Sequence, residues 1–177
     1  MFHVKQSAAR RSQRRERSVM FREVVRVKQA MTREECIEIL KSEVRGVLSV
    51  NGDDGYPYGI PHNHWYNEAD GKIYFHSGKK GHKIDAIRAD GKVSYCVTRC
   101  CGKREGEWWL NFESVVVFGR VEFIEDYDKA LQISKDLSYK FTDDEEYIQK
   151  ELDHSGPGVL VFALVPEHIT GKRVNER

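Results

Sequence analysis

The sequence of 177 residues lacks the features of several large protein classes. It has no apolar run long enough to cross a bilayer, and its start has no apolar stretch typical of a secretory signal. Only 4 cysteines are present, and Cys96, Cys100 and Cys101 lack the paired Cys-x-x-Cys spacing of a zinc site. With no export signal, we expect a cytoplasmic protein with reduced thiols, and Cys96 as a buried structural thiol.

The motifs of common hydrolases are also absent. There is no Gly-x-Ser-x-Gly nucleophile elbow and no His-Glu-x-x-His metal motif in the chain. No cysteine pairs with a histidine by sequence. If the protein is an enzyme, a bound cofactor is therefore expected to carry the reaction.

Charge is unevenly spread along the chain, although the net charge is only +1. Residues 1–19 hold six Lys and Arg residues against one Glu and few apolar residues, so we predict a disordered basic extension. Residues 20–177 have the composition of one globular domain. The basic extension could bind nucleic acid, but the domain offers no basic face in support.

Residues 72–88 are the most informative stretch. An Ile-Tyr-Phe run at 73–75 predicts a strand, and Gly81 leads into a segment with isoleucines at helical spacing. Free N–H groups at a helix start favour a phosphate. The loop adds a hydroxyl and several ammonium groups, from Ser77, Lys79, Lys80 and Lys83. Since the spacing matches no P-loop, an ordinary loop with solvated lysines is the alternative.

The remaining pattern predicts short strands with a few helices. Thr32 begins a capping box, Pro61 indicates a strand that is at a sheet edge or bulged there, and Gly119 predicts a bulge or bend in a long strand. Residues 99–107 resemble a loop, and residues 158–165 and 169–174 predict two further strands. Because βα alternation is limited to one unit, we expect an antiparallel barrel with helices packed outside it.

The cluster His62-Asn63-His64 allows three interpretations. On one strand face the two histidines could bind a metal together with His76 or His82, but no suitably placed carboxylate supports that. Alternatively, backbone groups of this strand and Asn63 could line a flat aromatic ligand. The third interpretation is a solvent-exposed polar strand face.

Several ordered motifs together resemble one family. They are Arg45-Gly-Val-Leu-Ser49, Gly55-Tyr-Pro-Tyr-Gly-Ile-Pro61-His-Asn63, the stretch from Ile73 to Ile87, Glu113-Ser114-Val-Val-Val-Phe-Gly119-Arg120-Val121 and Ile169-Thr-Gly-Lys172. They resemble the pyridoxamine 5′-phosphate oxidase-like FMN-binding split barrels, and within them the nitroimidazole-resistance (Nim) branch. The resemblance covers nearly all of residues 20–177.

The resemblance implies a mainly β fold, a six-stranded antiparallel Greek-key split β-barrel with flanking α-helices. It implies a homodimer with a flavin, FMN or alternatively FAD, at the subunit interface. The implied function is reduction of a small acceptor such as a nitroimidazole. A non-catalytic flavin- or haem-binding module, with His62, His64 and His76 as iron ligands, is the alternative.

The resemblance also implies the site residues. His76 is the candidate catalytic residue, and no metal is implied. The implied flavin-binding residues are Pro61, His62, Asn63, His76, Ser77, Lys80, Lys83 and Ser114. Two departures matter. The segment Thr170-Gly-Lys-Arg-Val-Asn lacks the arginine-rich motif for a vitamin B6 substrate. His82 stands where arginine is frequent, which implies either weaker binding of the phosphate or a longer flavin such as FAD.

Overall fold

The computed structural model describes residues 21–103, 105–106, 108 and 110–175. The extension predicted over residues 1–19 lies outside this part of the chain. Within it, no helix is both long and apolar enough to span a membrane.

Seven strands and four α-helices make up the fold of the described residues. The strands are β1 (Arg45–Asn51), β2 (Pro57–Asn63), β3 (Trp65–Asn67), β4 (Lys72–Gly78), β5 (Lys92–Gly102), β6 (Asn111–Ile124) and β7 (Val159–Asn175). The helices are α1 (Arg33–Ser42), α2 (His82–Ala89), α3 (Tyr127–Ser138) and α4 (Glu145–Ser155).

The strands form one antiparallel sheet in the order β2-β1-β5-β6-β7-β4-β3. The sheet curls, because the ring of His62 on β2 lies 5.3 Å from the ring of Phe75 on β4, five places along the order. Edge strand β2 therefore lies beside β4 without sharing a ladder with it, as in a split barrel. Pro61 lies on edge strand β2, as predicted.

The seventh strand arises at His64. The predicted run from residue 56 to residue 66 divides there, because the chain leaves edge strand β2 and crosses to the opposite edge as β3. The backbone N–H of His64 donates to the carbonyl of Val44 instead of joining a strand. The part of the chain that the structure describes thus has seven strands where six were predicted, and the mainly β split barrel is confirmed.

Apolar side chains from the concave side of the sheet fill the barrel. They include Leu48, Phe75, Tyr95, Val115 and Phe162, all fully buried. Helix α1 covers one end of the barrel, starting at the predicted capping box of Thr32 and Glu35. Alternation along β5 places Val93, Tyr95 and Val97 inside, so Cys96 faces outward and is half-buried, not fully buried as expected.

Strands β5 and β7 are longer than predicted. The expected loop over residues 99–107 begins only after Gly102, and the two strands expected over 158–165 and 169–174 are one strand of 17 residues. Strand β7 is continuous because the register shift opposite Gly119 leaves only Glu167 unpaired, and pairing with β6 continues on both sides of it. The irregularity predicted at Gly119 is confirmed, but the extra residue of the bulge lies in β7 and not in the strand of Gly119 itself.

Candidate cofactor site

The site is built on a contact between α2 and β2. Lys83, in the first turn of α2, donates from Nζ to Nε2 of His62 at 2.9 Å. Nδ1 of His62 lies 3.1 Å from the carbonyl oxygen of Asn63, so it carries the ring proton and donates to that oxygen. The His62 side chain is 8% exposed and packs edge-on against Phe75 and Phe162. His62 is therefore a neutral acceptor for the Lys83 ammonium.

Three basic groups influence one another here. Burial, with the nearby charge of Lys83, lowers the pKa of His62 to about 4. Partial desolvation of the ring, and then the charge of Lys83, lower the pKa of His76 although much of this side chain is exposed, and partial burial lowers the pKa of Lys83 itself. In the described part of the chain, no carboxylate bonds to any of the three. The cluster therefore has uncompensated positive charge that an anion would balance.

The start of α2 faces the same region. Gly81 is the N-cap residue, with a φ of 122° and no side-chain cap, so the first N–H groups of the helix have no side-chain acceptor. Only glycine adopts such a φ without backbone strain, so the sharp turn into α2 depends on Gly81. His82 turns away: its ring stacks on Tyr58 at 4.3 Å and its Nε2 lies 3.4 Å from Asp53.

Behind His62 lies a buried polar unit that the sequence did not indicate. The single proton of the Tyr95 hydroxyl is shared between two acceptors, the backbone oxygen of His62 at 2.7 Å and Nδ1 of His64 at 2.9 Å. Nε2 of His64 donates to the Leu40 carbonyl at 2.8 Å. Because Gly46 has no side chain, the Tyr95 ring can pass over it: a Cβ there would lie 2.7 Å from the ring.

His64 is fully buried and neutral. Burial, with the nearby charge of Lys140, lowers its pKa to about 3. Both ring nitrogens are in hydrogen-bond contact, so the exposed-face interpretation is wrong. Its role is to tie the end of α1 to the end of β2. The alternation of β5 was the one sequence signal for Tyr95, since it places that side chain inside.

The other expected residues near β2 and β4 line the mouth of this site. Pro61, His76 and Lys80 are exposed, and Ser77 is half-buried at the end of β4. The side-chain oxygen of Asn63 accepts from Nε of Arg45 at 2.7 Å. No described group of three or more His, Cys, Asp or Glu side chains is placed to hold a metal ion.

Ser114 is not brought to this cluster within one chain. It lies on β6, paired with Thr98 and Lys172. Strands β1 and β5 separate β6 from β2, so Ser114 is about 14 Å from Asn63 along the sheet at ~4.8 Å per strand. Ser114 instead lines a groove of about 460 Å³ together with residues 22–26 and neighbouring residues of β6 and β7.

A buried acidic residue next to Ser114 was also missed. Glu113 is 4% exposed and accepts from Nε of Arg173 at 2.6 Å and from Arg99. Burial alone would raise the pKa of Glu113, but the hydrogen bonds from Arg173 and Arg99 outweigh it and hold that pKa below its usual value. Glu113 is therefore a fixed carboxylate that joins β5, β6 and β7, not a proton donor.

Sequence comparison decides the family. The model of the pyridoxamine 5′-phosphate oxidase family matches residues 32–173, most of the chain. The chain belongs to the pyridoxamine 5′-phosphate oxidase family. The resemblance inferred from the motifs is thus confirmed. Comparison with curated protein sequences finds no match.

This pyridoxamine 5′-phosphate oxidase family member is similar in fold to solved structures of three kinds of protein. A candidate 5-nitroimidazole antibiotic resistance protein from Bacteroides thetaiotaomicron is 22% identical, with a TM-score of 0.70 over 82% of this chain and 87% of that one. An FAD-binding protein from Mesorhizobium loti is 24% identical, with a TM-score of 0.60 over 82% and 97%. An FAD and haem binding protein from Mycobacterium smegmatis is 19% identical, with a TM-score of 0.65 over 85% and 74%. At these identities the likeness establishes the fold.

Proposed function

We propose that this chain is a flavin-binding oxidoreductase whose cofactor phosphate is held at the start of α2. The observation that carries the proposal is the Lys83, His62 and His76 cluster, which has positive charge and no carboxylate partner in the described chain. A phosphate there would receive the Lys83 ammonium and the free N–H groups after Gly81. Membership of a family named for a flavin-type oxidase supports this choice of anion.

The flavin ring is assigned to the edge formed by residues 61–63. This edge is firm, because Tyr95 and His64 hold the backbone of His62 from inside the barrel. A bound flavin supplies electron transfer, and the chain supplies position and charge. His76 is exposed at the mouth, and its lowered pKa favours the neutral ring, whose unprotonated nitrogen can accept a proton from a substrate.

A second copy of the chain is part of the proposal. Pro61, Val47, Cys96, Val116 and Thr170 form one row across the outward face of five neighbouring strands. Val47 in this row is 41% exposed. We assign this face to a homodimer contact, in which Ser114 of one subunit reaches the flavin of the other. The distance of about 14 Å between Ser114 and Asn63 along the sheet within one chain favours this arrangement.

The proposed acceptor is a small nitroaromatic compound such as a nitroimidazole. The similar fold of the Bacteroides thetaiotaomicron protein supports this class. Vitamin B6 oxidation is not favoured, since the end of β7 lacks the arginine-rich motif. The haem alternative is not favoured either, because the ring nitrogens of His62 and His64 are engaged in hydrogen-bond contacts.

Lys83→Gln tests the phosphate site. Glutamine keeps a donor for His62 but removes the charge, so we expect FMN affinity to fall by about 1–3 kcal/mol. Riboflavin, which has no phosphate, should bind as before. Fluorescence titration with both ligands measures the change, and Lys150→Gln on α4 is the charge-matched control. Equal FMN affinity in wild type and Lys83→Gln would refute the assigned role of Lys83.

Turnover is tested separately with the flavin-loaded protein. We expect NADH or NADPH to bleach the flavin absorption without oxygen, and a nitroimidazole to restore it with loss of its own nitro absorption. A well-folded protein that is colourless and takes up no added flavin would contradict the whole proposal. Flavin that is bound but never reoxidised by the acceptors would leave the binding module as the function.

A further inference from the structure

A cavity of about 330 Å³ lies beside the loop that leads into α2. It forms where the ends of β4, β6 and β7 meet the start of α3. Two cations, Lys79 and Arg88, line it together with the rings of Phe123 and Tyr127 and the apolar side chain of Leu160. Its size is in the range of small-molecule sites. None of its residues belongs to the cluster around His62.

The cavity lies on the other flank of α2 from Lys83. Lys83 and Arg88 are five residues apart, which in a helix is a rotation of about 140° and a rise of about 7.5 Å. Lys83 accordingly reaches His62 on β2, whereas Arg88 lies over the ring of Phe123 on β6, 5.1 Å from its centre. Lys79 lies in the short loop between β4 and α2, four residues before Lys83, and it lines the cavity. The loop of residues 79–81 thus connects the Lys83 site with the cavity along the chain.

The lining fits an aromatic base joined to a sugar phosphate. Tyr127 is half-exposed and offers a ring face, and Arg88 offers a planar guanidinium already placed over an aromatic ring. The Lys79 ammonium donates one hydrogen bond to the Pro157 carbonyl, at 2.8 Å, and has two further N–H donors for a phosphate. Glu125, also in the lining, can accept from sugar hydroxyls.

We propose that this cavity holds the adenosine phosphate half of a dinucleotide flavin, so that the chain takes FAD in preference to FMN. The inference rests on the proposed flavin function, with the first phosphate at Lys83. FMN ends at that phosphate and leaves the cavity empty. FAD adds a second phosphate next to Lys79 and an adenine ring between Arg88 and Tyr127.

The test compares FAD, FMN and riboflavin on the full chain stripped of flavin, by fluorescence or calorimetric titration. We expect FAD to bind at least about tenfold more tightly than FMN. In Lys79→Gln and Arg88→Gln, and more so in the double variant, we expect FAD affinity to fall towards that of FMN. FMN affinity should stay within about twofold of wild type. Both side chains are at the surface, and thermal unfolding checks that the variants remain folded.

Lys129→Gln, a surface lysine of α3 outside the cavity lining, removes the same charge and should leave the FAD to FMN ratio unchanged. Equal affinity for FAD and FMN in the wild type overturns the inference alone, since FMN binding would still support the Lys83 site. A preference for FAD that survives in the double variant also overturns it. A chain that binds none of the three ligands overturns the proposed function and this inference with it.

Discussion

His62 and His64 are both buried, but their imidazole rings have different roles. His62 accepts from Lys83 and so holds the cation that is proposed to meet the phosphate. His64 contacts only groups of the protein, the Leu40 carbonyl and the Tyr95 hydroxyl. Both are neutral for the same reason, since burial disfavours the charged imidazole.

Their neutrality makes stability depend on pH. The folded-state pKa values, about 4 and about 3, lie below the value of 6.5 for a free imidazole, so the unfolded chain binds more protons below pH 6.5. Stability is therefore fully present above pH 6.5 and falls as the pH drops towards 4. Between pH 7 and pH 5 we expect a loss of about 2 kcal/mol for each imidazole.

Urea unfolding at the two pH values, without added flavin, measures this loss. His64→Gln replaces the imidazole with an amide that does not titrate, so about half of the loss should disappear even though the variant starts less stable at pH 7. His154→Gln, at an exposed position of α4, should keep the full loss. An identical pH dependence in wild type and His64→Gln would show that His64 is not the titrating group.

At the scale of elements, β6 and β7 form the longest ladder of the sheet, and one glycine decides its shape. At the register shift a Cβ on Gly119 would lie 2.0 Å from the Val165 carbonyl oxygen, which is far inside contact distance. The close approach lets β7 bend past Glu167 while its pairing with β6 continues on both sides.

Gly119→Ala should therefore destabilise the fold by about 3 kcal/mol, because the ladder must open to admit one methyl group. Gly78→Ala, at the end of β4, is the matched control: a Cβ there meets no atom within 4 Å, and its φ is not positive. We expect that control to change the free energy of unfolding by less than about 1 kcal/mol. Thermal or urea unfolding compares the two, and similar stabilities would refute the steric account of the bulge.

Local sequence signals predicted the parts of this fold that depend on neighbouring residues. The capping box at Thr32, the edge position of Pro61, the bulge at Gly119 and the strand, loop and helix over 72–88 follow from spacing and residue type. The contact of Tyr95 with His62 and His64 does not, because it joins strands 31 and 33 residues apart. The separation of Ser114 from Asn63 likewise depends on strand order, which no local pattern contains.

At the scale of the whole molecule, the curled sheet buries its concave side and leaves part of its outward side to solvent. Val47 is 41% and Phe118 is 37% exposed there, among half-buried side chains of β5, β6 and β7. The two proposed halves of the flavin site, residues 61–63 and Ser114, both lie on or beside this face. Flavin binding and self-association should therefore depend on each other.

Val47→Glu tests this dependence. In a single chain the new carboxylate would lie at an exposed position and leave the fold intact. In a two-fold dimer it would be buried twice, once from each subunit, so we expect the dimer dissociation constant to rise by at least about 100-fold. Light scattering after size exclusion measures the mass, and a flavin titration at the same concentration should show weaker binding.

Tyr147→Glu, at an exposed apolar position on α4, is the control and should change neither the mass nor the flavin affinity. A monomeric wild type that binds flavin tightly would contradict the shared site, as would a Val47→Glu dimer with unchanged flavin affinity.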